Sequence, residues 1–284
     1  MVDLHALTET GKISTGGCIF CSEKGSGELI SCANGTSQID KIHNQVVNYF
    51  NSYKSLRADK FIAYFQNFTN TYDSIKNLKA KYDAALINHK IVGLEVATRP
   101  DCINEDIVKL LSSYKDKYYV CVELGLQTSN DDIGNFINRG YLSSSFTYAT
   151  KLLNKYGIDI VVHLMIGLPL ETFNDVKNSV DFINHHNVQG IKIHSTYVVK
   201  NTGLANLYYS GEYVPISFDY YMDCLVYVLT HINPNVVIHR IVADAPKDLL
   251  VAPSWNLHKK WVLNGLDKIM REQNLFQGMY YDLK

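Results

Sequence analysis

The chain has 284 residues, 46% of them hydrophobic, which is enough apolar material for one large α/β core. Its 27 basic and 28 acidic residues give a formal charge of −1, so bulk charge offers no reason for binding nucleic acid. No apolar run approaches the ~20 residues of a membrane helix, the start lacks a signal-peptide pattern, and six scattered cysteines do not read as a disulfide framework; the expectation is a cytoplasmic protein with no membrane part.

Amphipathic helical stripes alternate with apolar, β-branched runs along the chain. Ile39, Ile42, Val46 and Phe50 form the first stripe, and a strand is expected at 61–66. Ile75, Leu78 and Tyr82 follow, then a strand at 91–98. Asn104 is a natural N-cap for the stripe Ile107, Leu110 and Leu111, which leads to a strand at 118–125. Leu152, Leu153 and Tyr156 precede Gly157, a C-terminal stop, before a strand at 158–167. Val176, Val180 and Ile183 precede a strand at 190–199. A helix around 218–232, a strand at 236–242 and a helix around 259–273 complete the pattern. Repeated βα units predict a parallel sheet with helices outside it. The fold class is α/β, a partial (β/α)6-type TIM barrel over 1–200 with an α/β C-terminal extension over 201–284 packed on it.

Polar side chains gather at or near the strand ends. Gln66 follows the first strand and Thr98-Arg99-Pro100-Asp101 the second. Glu123 and Gln127 bracket the third, and Gly167-Leu168-Pro169 closes the fourth. Lys192 and His194 lie on the fifth, and His239, Arg240 and Asp244 on or after the sixth. Barrel ligands bind where the βα loops converge, so the set points to one shared mouth, although any single Glu, Gln or His in a strand also serves as an ordinary core residue.

The stretch GGCIFCSEKGSG, residues 16–27, holds Cys18 and Cys21 between glycines. A structural zinc site would need a second CxxC or paired histidines nearby, and a thioredoxin-type motif would open a helix after a strand. An iron–sulfur loop is left, in which three thiolates hold a 4Fe–4S cluster and leave one iron open, whereas four would fill every iron.

The loop GKISTGGCIFCSEKGSG, followed in order by AYFQNFTNTY, ATRPDC, VELGLQT, NRGY, GLPLE and QGIKIH, resembles the radical S-adenosylmethionine proteins of the YhcC/YtqA type, relatives of the radical-SAM part of the Elongator catalytic subunit. The resemblance runs over nearly the whole chain. It implies a partial barrel, a 4Fe–4S cluster and S-adenosylmethionine, whose cleavage yields a 5′-deoxyadenosyl radical; it implies no settled substrate, and RNA enters only by analogy. It makes Cys18 and Cys21 metal ligands and sets Phe20 beside the adenine, with Gly25 and Gly27 allowing close approach to cofactor or cluster. Gln66 falls at the methionine amino group. Arg99 and Arg139 are candidates for the methionine carboxylate, and Glu123 and Gln127 face ribose or substrate. Gly167 and Pro169 shape the adenine wall, and Lys192, His194 and His239 are substrate-side candidates. Arg139 is equally readable as a structural ion pair, and Asp131 and Asp132 as caps or solvated charges.

The chain departs from the family at its start. The family's first cluster cysteine falls at position 6, where this chain has Ala6, and the opening MVDLH is too short for the family's first strand, so the barrel is expected to be incomplete at its N-terminus. Cys32 is the other thiol nearby; Cys102, Cys121 and Cys224 read as buried apolar fillers. Two readings follow: a radical S-adenosylmethionine enzyme of unknown substrate and electron donor, or a cluster-deficient barrel that binds a ligand or partner without catalysis. An unrelated zinc or metal-free barrel enzyme is weaker, because no His/Asp/Glu set has zinc spacing.

Overall fold

The structure is a computed structural model that describes residues 17–21 and 35–282. Ala6, Gly25, Gly27, Cys32 and the place of an N-terminal first strand lie outside the described residues.

Six strands form one parallel sheet in the order β1-β2-β3-β4-β5-β7. They are β1 (Phe61–Phe65), β2 (Ile91–Thr98), β3 (Tyr119–Gln127), β4 (Asp159–Ile166), β5 (Gly190–Ser195) and β7 (Val237–Arg240). Helices α1 (Gln38–Phe50), α2 (Ile75–Ala85), α3 (Glu105–Ser112), α4 (Asp131–Phe136), α5 (Ser143–Lys155), α6 (Phe173–Asn184), α7 (Gly203–Tyr209), α8 (Phe218–His231) and α9 (Lys259–Glu272) intervene. Among the described residues the sheet is an open half-barrel: β1 and β7 are its outermost strands and do not pair with each other.

Period-two alternation assigns the two faces of each strand. Leu94 and Val96, Val122 and Leu124, Ile160, Val162 and Leu164, and Ile191 and Ile193 are fully or almost fully buried in one core. They pack with Leu78 and Tyr82 of α2, Ile107 and Leu111 of α3, Phe146 and Leu153 of α5, Val180 and Ile183 of α6, and Tyr221 and Leu225 of α8. The helices start where the sequence supplies caps. Asn104 accepts from the Ile107 amide, Ser74 from the Asn77 amide, and Thr172 and Asp175 form a reciprocal capping box. Gly157 has φ +60 just beyond α5, the left-handed turn expected of it.

Two expectations change. The run 190–199 is not one strand: β5 ends at Ser195, the last residue in register with β4, and β6 (Val198–Val199) leaves the sheet to pair antiparallel with β8 (Leu250–Ala252). The strand expected at 236–242 joins the main sheet beside β5 and is therefore part of the half-barrel wall. Among the described residues no helix is long and apolar enough to cross a membrane.

Candidate functional site

The opposite face of the strands is polar. Tyr64 of β1 aligns with Glu95 of β2, His163 of β4 with Lys192 of β5, and Met165 with His194, so successive strands present ionisable groups at similar depth. Glu123 of β3 is the centre. It is 1% exposed, and its Oε2 accepts from the Tyr64 hydroxyl at 2.6 Å and from His163 Nε2 at 2.7 Å. Its Oε1 accepts a close ion-paired hydrogen bond from Lys192 Nζ, which also donates to the Tyr64 oxygen at 3.3 Å and lies 4.6 Å from that ring's centre. Burial pushes the Glu123 carboxyl up, but hydrogen bonds from His163 and Glu95 and the charges of His163 and Lys192 outweigh it and hold the group ionised, well below the carboxylate range. Glu95 is the converse: burial first, then its hydrogen bond to Glu123 and the Glu123 charge, raise it to about 8, so it keeps its proton at neutral pH. His194, with its ring centre 5.1 Å from that of His163, is held neutral by burial and then by the charges of His163, Arg240 and Lys192. Its Nε2 is buried with no hydrogen-bond partner among the described residues.

Above this wall, at the C-terminal strand ends, sits a second tier. The β3 register shifts between Gly125 and Gln127, and Gln127 has φ +61. The Tyr141 hydroxyl donates to Gly125 O at 2.7 Å and to Gln127 Oε1 at 2.8 Å, fixing that bulge. Arg99 makes a two-point pair with Asp101 at 2.9 and 2.8 Å, and its guanidinium stacks 4.9 Å from the Tyr141 ring centre. The Cys18–Cys21 turn docks on this tier. Ile19 N donates to Ile137 O at 3.1 Å, Leu204 N to Ile19 O at 2.7 Å, and Asn138 Nδ2 to Gly17 O at 2.8 Å. The hydrogen bond from Cys21 lowers the Cys18 thiol pKa; burial opposes it, and the positive charges of Arg99 and Arg139 reinforce it.

The sequence-derived candidates thus divide into groups. Glu123 and Lys192 bond directly, with His194 beside them; His239 lies at the edge, its Nε2 over the space that a side chain on Gly190 would fill. Arg99, Gln127, Cys18 and Cys21 belong to the mouth. Phe20 packs with Ile19 against two small apolar clusters, around Leu204 and Tyr213 and around Ile137 and Leu168. Gly167, at φ +88, donates its N–H to Glu171 Oε2 at 2.6 Å and accepts from the Tyr213 hydroxyl at 2.7 Å; Pro169 is buried in the same turn. Gln66 sits half-buried at the end of β1. Arg139 is a correction to its reading as a methionine-carboxylate partner. It is fully buried, and its guanidinium donates to Tyr141 O, Leu126 O, Thr128 O and Asp131 Oδ1, so its donors are committed to the protein. Cys102, Cys121 and Cys224 are buried, as expected of fillers.

Sequence reasoning left Glu95, His163 and Tyr64 out of the candidate site. The signal was the alternation itself: His163 falls out of phase with Ile160, Val162 and Leu164, which places it opposite the helices. What the sequence withheld is the register that sets it beside Lys192.

Among the described residues no cluster of three or more His, Cys, Asp or Glu side chains could hold a metal. Cys18 and Cys21 suit iron–sulfur ligation in chemistry and in placement, and supply two thiolates of the three an open-iron cluster needs.

The profile of the Radical SAM superfamily matches residues 9–183, and that of the Radical_SAM C-terminal domain matches 188–272. YtqA of Bacillus subtilis (strain 168) is 33% identical over 95% of this chain and 83% of its own length. YhcC of Escherichia coli (strain K12) is 33% identical over 93% and 84%. Among solved structures, the N-terminally deleted Elp3 of the archaeon Methanocaldococcus infernus shares the fold with a TM-score of 0.68 at 21% identity, over 84% of this chain; the chain spans 59% of that protein.

Proposed function

The chain belongs to the radical SAM superfamily, in its YtqA/YhcC branch, and on that footing we propose that it is a radical S-adenosylmethionine enzyme that takes its cofactor at the mouth and its substrate against the Glu123 wall. The observation that carries this reading is the docking of the Cys18–Cys21 turn on the loop after α4 and the start of α7, within reach of the charges of Arg99 and Arg139. A 4Fe–4S cluster held there would supply the electron that cleaves S-adenosylmethionine to a radical able to take hydrogen from the substrate. Cys18 and Cys21 would hold iron; the hydrogen bond from Cys21 favours the Cys18 thiolate, and the Arg99 and Arg139 charges add to it against burial. With the Arg139 donors committed to backbone carbonyls and Asp131, Arg99 is the guanidinium at the mouth for the methionine carboxylate; Asp101 and Gly140 O hold its Nε and Nη2, so Nη1 and its charge are what it offers. Gly167 and Pro169 shape the adenine side, and Gln66 and Phe20 the rim. Glu123, Lys192 and Tyr64 fix the wall on which the substrate rests.

A second reading, a barrel that binds a ligand without catalysis, is favoured by one observation: Ala6 stands where the family's first cluster cysteine falls. Anaerobic reconstitution with iron and sulfide, followed by reduction and assay for 5′-deoxyadenosine, separates the two. Partial iron loading is expected for the unaltered chain, and loading toward the ~4 irons of the cluster for Ala6→Cys, with 5′-deoxyadenosine formed by the loaded protein. Full loading of both without 5′-deoxyadenosine would overturn the enzyme reading.

A further inference from the structure

The half-barrel wall carries more hydrogen-bond donors than its one ionised carboxylate can use. Both Glu123 oxygens are occupied, Oε2 by Tyr64 and His163 and Oε1 by Lys192. Glu95 leans on Glu123 as a protonated acid and adds no negative charge at neutral pH. Lys192 spends two of its three N–H groups, on Glu123 and Tyr64. On β7 the register shifts by one residue, so that Ile238 opposes Ile191 while Arg240 opposes Lys192, and the intervening His239 lies over Gly190. This bulge brings two consecutive basic residues to the open end of the wall. Arg240 is only loosely compensated, 3.6 Å from Asp244. His194, which feels the charges of both Lys192 and Arg240, keeps a buried Nε2 without a hydrogen-bond partner among the described residues.

We propose that this end of the wall binds an anionic group of the substrate, a carboxylate or a phosphate, among His194, Lys192 and Arg240. The inference rests on the proposed function in naming that ligand the substrate, and it makes the substrate an acid. The groups facing the site are Tyr64 from β1, Glu95 from β2, Cys121 and Glu123 from β3, His163 from β4, Lys192 and His194 from β5, and His239 and Arg240 from β7. Burial first, and then the positive charges of Lys192 and His163, depress both His194 and His239, joined at His194 by the charge of Arg240 and opposed at both by Glu123. An anion placed there satisfies the orphaned Nε2, takes the remaining Lys192 donor and pairs with the Arg240 fork.

The test is an imidazole-resolved NMR titration of the full chain, labelled at histidine, with inorganic phosphate, with acetate, and with neutral acetamide. Phosphate or acetate should shift the His194 resonance saturably and raise its pKa, and the tighter of the two identifies the acid. Arg240→Gln, half-exposed and not required by the core, should weaken binding roughly tenfold. Lys192→Met should weaken it at least as much if circular dichroism shows it folded. No saturable shift with either anion, an equal shift with acetamide, or unchanged affinity in Arg240→Gln would overturn the proposal. The 5′-deoxyadenosine assay on reconstituted protein keeps the two ideas apart: anion binding by a chain that loads its cluster fully and forms no 5′-deoxyadenosine leaves this site standing and removes the enzyme reading.

Discussion

Glu123 shows how a half-barrel uses a buried charge. A carboxylate with 1% exposure survives because Lys192, His163 and Tyr64 reach it from three other strands. Removing the cation leaves that charge buried and unpaired, so Lys192→Met should destabilise the fold by about 3 kcal/mol. Tyr64→Phe removes one neutral donor and should cost about 1 kcal/mol. Urea denaturation checks the ranking; equal costs would mean that the Lys192–Glu123 pair is open to solvent. The pH dependence has a definite sign. Glu95 is raised from 4.5 to about 8, burial being the first cause, and burial likewise raises Glu171 to about 8 while its Oε1 lacks a partner among the described residues. Between those values the folded state holds more protons than the unfolded one, so these groups favour folding most below pH 4.5 and that contribution falls as pH rises to about 8. Glu123 works in the opposite sense, adding stability above the ordinary carboxylate range that is lost as pH falls below it. The lowered His186, His194 and His239 oppose these carboxyls up to pH 6.5, so melting temperature should decline from about 6.5 to about 8, and Glu95→Gln should flatten the decline. A decline of unchanged slope in that variant would place the proton elsewhere.

The short α4 and the loop after it build the floor on which the cysteine turn rests. Asn130 caps α4 by accepting from the Asp132 and Ile133 amides, and Asp131, in its first turn, accepts from Arg139 at 2.7 Å and from Ser143 N at 2.7 Å. Asp131 is thus more than a solvated charge: it closes the loop onto α5. Arg139 turns back across α4, and a side chain on Gly134 would meet its Nη2 at 2.6 Å, so only glycine leaves room for the guanidinium. Gly134→Ala is expected to force Arg139 from its carbonyl partners and to cost about 1–3 kcal/mol, more than the few tenths an exposed helical glycine would gain on becoming alanine. The same variant should loosen the neighbouring Asn138–Gly17 tie and speed amide exchange at Ile19, whose N–H bonds to Ile137 O. Stability equal to the parent with unchanged exchange at Ile19 would show that the loop accommodates the methyl by another route.

At the scale of the molecule, the strands were legible because each carries an apolar helix-facing row, and Asn104 and Gly157 marked helix ends in the sequence itself. Two features were not legible: that Val237–Arg240 joins β5, which depends on a pairing between residues as distant as Gly190 and Val237, and that Val198–Val199 leaves for β8. The site was legible as a list and not as a geometry: Cys18, Glu123, Lys192 and His194 stood out by type, whereas His163 and Glu95 acquire meaning only from register. The same long-range pairing bears on where the chain divides. The expected break near residue 200 becomes a proposal that 201–284 is an extension of the barrel, and its side chains enter the barrel's own core. Tyr221, Met222, Leu225, Val228, Leu229 and Ile232 lie in one cluster with Ile160, Val180 and Ile191. Exposing six such side chains at about 1.5–3 kcal/mol each forfeits on the order of 10 kcal/mol, comparable to the whole stability of a typical domain. Cutting after Lys200 also strips β7 from β5 and leaves a buried strand as an open edge. A fragment ending at Lys200 should therefore fail to fold cooperatively, giving a broad urea transition, dispersionless amide spectra and self-association in light scattering. A sharp transition and dispersed spectrum from that fragment would show that the first five strands hold a core of their own, and that the C-terminal region is a separate unit docked on it.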